Sequence, residues 1–189
     1  NNTIVLFLAD HGELLFDNNF YRKALPYEGS THIPLLVHVG KNVQNITPFR
    51  SDTLTELRDI MPTILDFAGI PIPDSVDGFS PEILGEEKNE REFLHGEHSF
   101  HSSLSSQFIV TKTDKYIWYS EKNEEQYFNL EKDPREEHNA INDTKYQERI
   151  AYLRSVLIQE LKDREEGYSD GASLKTGCTP LNSLSHILK

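Results

Sequence analysis

Two adjacent residues near the start of the chain have the types to do chemistry. Asp10 offers a hard carboxylate oxygen and His11 a ring nitrogen, a pairing that suits a divalent metal ion. They follow an unbroken apolar run, Ile4 to Ala9, and precede Gly12, where the backbone can turn away with no Cβ in its path. On these residues alone the plainer reading has equal weight: Asp10 as a turn residue or helix cap, His11 as an exposed side chain. Further on stand Arg22-Lys23, twelve residues past His11 at the lysine, and then Pro26-Tyr27-Glu28-Gly29-Ser30.

The elements that position these residues are apolar strands. Ile4 to Ala9 reads as a strand buried on both faces, as inside a parallel sheet covered by helices. In open α/β sheets ligands collect beyond the carboxyl ends of strands, which is where Asp10 and His11 fall. A second run, Ile33 to Gly40, reads as the next strand. The irregular stretch between the two is long for a compact domain and marks a functional loop.

In their fixed order, Asp10-His11-Gly12-Glu13, Arg22-Lys23 and Pro26-Tyr27-Glu28-Gly29-Ser30 with Ile33-Pro34-Leu35 resemble the sulfatases of the alkaline phosphatase superfamily. The resemblance implies an α/β chain: the end of an alkaline-phosphatase-like catalytic domain followed by a small α+β domain. It also implies a formylglycine nucleophile, made from a cysteine in an N-terminal part that this sequence lacks, and a divalent metal, calcium in the family. Asp10 matches the family's late metal aspartate, and His11 a metal position filled by Asn or His. Lys23 matches the lysine that contacts the sulfate group, and the case for it rests on that motif. Two positions depart from the pattern. Asn18-Asn19 stand where similar enzymes often carry histidine, and His32 stands at a substrate-binding position where they often carry arginine. These departures bear on which ester is accepted.

Composition narrows the partners. The 189 residues carry a net charge of −12, which argues against nucleic acid or an anionic membrane as a partner. No apolar run approaches the roughly 20 residues needed to cross a bilayer. A single cysteine excludes an internal disulfide framework and sets no compartment. With no initiator methionine and too few neighbours for a buried strand, the sequence reads as a fragment whose partner is the missing N-terminal part of the same protein. The substrate implied by resemblance is a sulfated small molecule or carbohydrate.

Downstream, Leu57, Ile60, Met61, Ile64, Leu65 and Ala68 have helical spacing, with Pro62 in the first turn and Gly69 as the stop. Gly85 to Glu92 is nearly all charged or amide-bearing and reads as a solvated connection. It divides residues 1–85, the catalytic-domain part, from 86–189, a small domain. There, short strands near Phe93–Gly96, Gln107–Thr111, Lys115–Tyr119 and Gln126–Leu130 read as an antiparallel meander. A helix capped by Asp143 or Thr144 follows, with a stripe from Tyr146 to Leu161. Gly96-Glu97-His98 with His101 looks chemical but reads better as structural. The tail from Glu165 reads as a surface wrap, partly disordered. Its Cys178-Thr179-Pro180 begins like the family's nucleophile motif but lacks the Ser and Arg.

Two other functions stay open at this stage. The same superfamily includes phosphonate and phosphodiester hydrolases with this Asp-His and this Lys. A non-catalytic binding module is the reading from a different class.

Overall fold

A computed structural model describes residues 1–43, 47–80, 91–98 and 103–181. The chain divides into two compact units, one made of 1–10 with 33–94, the other of 11–32 with 95–189. These units cut across the boundary drawn at residue 85, most of whose charged run lies outside the described residues. The loop between the first two strands is assigned to the second unit.

In the first unit, strand β1 (Ile4–Leu8) pairs with β2 (Leu35–Val39) in register Leu6 to Val37. The pairing is antiparallel, not the parallel arrangement expected, and within this chain burial alternates along both strands. Val5 and Phe7 point to the open face. An unbroken apolar run carries no period, so it cannot separate a strand covered twice from one covered once.

Helix α2 (Ile60–Phe67) continues a 3-10 turn at Leu57–Asp59, and Gly69 closes it at φ +65°, the left-handed conformation that glycine takes without a Cβ penalty. Its start is fixed by a reciprocal capping box between Glu56 and Asp59. Arg91 belongs to the charged connection but is not solvated. Its guanidinium forks onto the buried Asp59 carboxylate at 2.6 and 2.7 Å and stacks 3.9 Å above the Phe79 ring.

The second unit is built on a four-stranded antiparallel meander of β3 (Leu94–His98), β4 (Ser106–Val110), β5 (Asp114–Tyr119) and β6 (Glu124–Asn129). All six residues of β5 are buried, so both faces of the sheet are covered there. One face lies under helix α3 (Gln147–Glu160), whose Ile150, Leu153 and Leu157 are fully buried. On that face Arg149 forks onto Asp114, and Arg154 onto Glu125. The other face packs Ile117, Tyr119 and Phe128 against Leu14, Leu25 and Tyr27 of the loop from the front of the chain. Strand alternation assigns the two coverings: Asp114, Tyr116 and Trp118 face α3, while Lys115, Ile117 and Tyr119 face the loop.

Within the described part of the tail, several residues pack against the sheet and helix. Tyr168 is fully buried edge-on against Trp118, and Ser169 bridges to Lys162 and Leu174.

Candidate active site

The loop from His11 to His32 is stitched across its base. Gly12 N donates to Ser30 O at 2.8 Å, Leu14 N to Arg22 O at 2.9 Å, and Ser30 Oγ to the Lys23 carbonyl at 2.9 Å. Gly12 is needed for closeness: a Cβ there would stand 2.1 Å from Gly29 O. Between the stitches Leu15, Phe16, Asn18, Asn19 and Arg22 all adopt positive φ. Such backbones cost roughly 1–2 kcal/mol each outside glycine, and less for Asn, so the anchoring by Leu14, Leu25 and Tyr27 must hold them.

This closure brings Lys23 Nζ onto His11 Nε2, although the two are twelve residues apart. The opposite ring nitrogen, Nδ1, lies 2.8 Å from Gly12 O, which can only accept. The proton therefore sits on Nδ1, and Nε2 presents a lone pair to a cation. In this structure that cation is the Lys23 ammonium. Neutral imidazole with a fixed tautomer is also the form that ligates metals, and the carboxylate of Asp10 is the preceding residue. Among the described residues, three or more potential ligand side chains converge only at Asp133, Glu137 and His138. There the Asp133 carboxylate already accepts the backbone N–H groups of Glu137 and His138, which is a turn cap.

His32 follows the single helical turn α1 (Glu28–Thr31), is exposed, and turns its Nδ1 to Glu28 Oε2 at 2.8 Å. That partner raises the imidazole above its ordinary pKa. Burial alone would push Glu28 up, but His32 and Lys115 outweigh it and hold the carboxyl down at about 2. An open recess of about 360 Å³, walled by Phe16, Asp17, Asn18, Asn19, Arg135 and Glu137, lies along the same loop.

Sequence reasoning missed the group beneath this loop. Lys115 is fully buried, with Nζ 2.7 Å from Glu28 Oε1 and 2.8 Å from Glu136 Oε1, the latter close enough to pair by charge though off the line of a hydrogen bond. Glu136 Oε2 accepts the Glu28 backbone N–H at 2.6 Å. The available signal was a lysine on the phase of the strand that also carries Ile117 and Tyr119. Glu97 has a structural partner in Arg164 at 3.0 Å, while His101 lies outside the described residues. Cys178 sits with Sγ 3.3 Å from Gly167 O, and burial, then Glu121 and Glu166, push its thiol pKa up.

A profile for the C-terminal region of N-sulphoglucosamine sulphohydrolase matches residues 16–163. An arylsulfatase of Clostridium perfringens is 52% identical over 190 residues, covering 99% of this chain and 39% of its own length. The crystal structure of a putative sulfatase from Bacteroides thetaiotaomicron superposes with a TM-score of 0.74 at 27% identity, over 84% of this chain and 36% of that one. A structure solved in complex with its substrate D-glucosamine-2-N,6-O-disulfate shares the fold at a TM-score of 0.69 and 23% identity, over 84% and 34% of the two chains. The chain belongs to the sulfatase family. It spans between about a quarter and two fifths of the length of the relatives it matches.

Proposed function

We propose that this chain supplies part of the catalytic site of a sulfuric-ester hydrolase. The observation that carries the reading is the meeting of Lys23 Nζ with His11 Nε2, which sets an ammonium and a tautomer-fixed imidazole at one point. Lys23 acts on the sulfuryl oxygens, which hold negative charge throughout transfer and are stabilised by a preorganised cation.

Asp10 and His11 would serve as two ligands of a divalent cation, with calcium the expected ion; His11 Nε2 would then give up Lys23 for the ion, freeing the ammonium for the sulfuryl oxygens, and most of the shell would be left to other groups. When bound, such an ion screens charge on the sulfuryl oxygens. The formylglycine nucleophile would come from a part of the whole protein outside this chain. His32 takes a substrate-side role at the mouth of the loop. A sulfated carbohydrate is the substrate class: the matching family is named for an N-sulphated sugar, and the polar recess beside the loop offers Asn, Asp and Arg groups that pair with sugar hydroxyls.

The test is a parallel assay of the whole protein on an aryl sulfate and the matching aryl phosphate, repeated with Lys23→Ala. Preferential turnover of the sulfate, lost in the variant, supports the reading. Preference for the phosphate transfers it to the phosphonate and phosphodiester hydrolases. No turnover of either returns it to a binding module.

A further inference from the structure

We infer that buried Lys115, acting through Glu28, is the positioning residue for Lys23, so that the C-terminal sheet sets the geometry of the sulfate-contacting ammonium. This rests on the reading of Lys23 given above. Lys115 leaves β5 on the face that looks at the loop, and its ammonium is completely enclosed. An enclosed charge is tolerated only with close partners, and two of the groups it meets, Glu28 at 2.7 Å and Thr31 at 3.4 Å, lie on the same helical turn. Glu136, in the segment after β6, pairs with the same ammonium and also receives the Glu28 backbone N–H, closing the cluster. The turn is therefore fixed at its first and last residues.

Between those fixed points stands Ser30, and Ser30 holds both halves of the site. Its carbonyl accepts Gly12 N–H, next to His11, and its hydroxyl donates to the Lys23 carbonyl. A displacement of the turn would move the backbones of both residues that meet at His11 Nε2. Leu14 and Leu25 anchor the loop by apolar contact, which tolerates sliding, and Tyr27 adds one neutral hydrogen bond, from its hydroxyl to Gln126 Oε1 at 3.1 Å. Directional bonds to an enclosed charge do not tolerate sliding. A misplacement of about 1 Å costs on the order of a hundredfold in rate, so this fixation matters for turnover and not for stability alone.

The experiment is a double-mutant cycle in the whole protein. Lys115→Met should lower kcat by roughly ten- to a hundredfold with KM little changed, and by a clearly smaller factor when Lys23 is already Ala, the remainder acting through the Ser30–Gly12 bond beside His11. Ser30→Ala cuts the relay at its last link, leaves the enclosed charge untouched, and should show the same background dependence. If Lys115→Met does not fold, the Ser30 cycle decides the matter. Equal losses in the two backgrounds would overturn the inference while leaving Lys23 in place. A Lys23→Ala protein with normal turnover would instead overturn the reading of Lys23 itself.

Discussion

His11 Nε2 accepts from Lys23 Nζ, while its Nδ1 is tied to the carbonyl of the next residue. Both residues are held by a loop that packs on one face of the C-terminal sheet, through Leu14, Leu25 and Tyr27 and through Lys115 with its carboxylates. The small domain is thus part of what shapes the proposed site.

Lys23→Ala in the whole protein should reduce turnover of an aryl sulfate by about a hundredfold to a thousandfold, equivalent to roughly 3–4 kcal/mol. The side chain is exposed, so thermal unfolding should not shift measurably. Steady-state kinetics and calorimetry of the same preparation check both halves.

Calcium should bind this chain weakly, no tighter than about 0.1 mM, because two protein ligands leave most of the six to eight positions to water. Asp10→Ala should abolish what binding there is. Isothermal titration showing tight calcium binding that survives the substitution would remove Asp10 from the site.

Acid should loosen the loop through Glu28. Its carboxyl is held at about 2 against an ordinary 4.5, so the stabilisation is present above pH 4.5 and is lost as pH falls toward 2. At full strength it is worth about 3 kcal/mol. Glu136, raised by burial despite Lys115, contributes with the opposite sign and so partly offsets it. His32 adds a smaller contribution that is present below pH 6.5 and fades above its raised pKa. Urea midpoints between pH 2 and 8 should follow this profile, and Glu28→Gln should flatten its acid limb.

Asp59→Asn should cost about 1–3 kcal/mol, because it takes the forked carboxylate from the Arg91 guanidinium, which keeps Glu56 at 3.0 Å, and weakens the capping box with Glu56. Equilibrium unfolding of the chain measures it. A shift under 1 kcal/mol would make the fork a surface pair.

Cys178 should remain an unmodified thiol. Its pKa is raised, the reverse of what an activated nucleophile needs. Intact-mass and peptide mass spectrometry should find cysteine at 178, and Cys178→Ala should leave turnover of the whole protein unchanged.

The sequence alone determined the family, through motifs whose order is independent of fold, and it determined the local elements whose signals are local. The helix at Ile60–Phe67 and its Gly69 stop, the Asp143 cap that accepts Lys145 N–H, and the four strands of the meander all fall within a few residues of their expected places. Tertiary structure alone decided the partner of each apolar face. Ile4 to Ala9 has no period, so nothing in it could say antiparallel or half exposed. The loop from His11 to His32 belongs with residues 95–189, because Leu14, Leu25 and Tyr27 bury against a sheet some ninety residues further on, a pairing that no local spacing encodes. Lys115 was legible as a lysine on the phase of the strand that also carries Ile117 and Tyr119. That it would be enclosed, and by Glu28 and Glu136, depended on three segments meeting, since desolvating a charge is permitted only by partners the fold delivers.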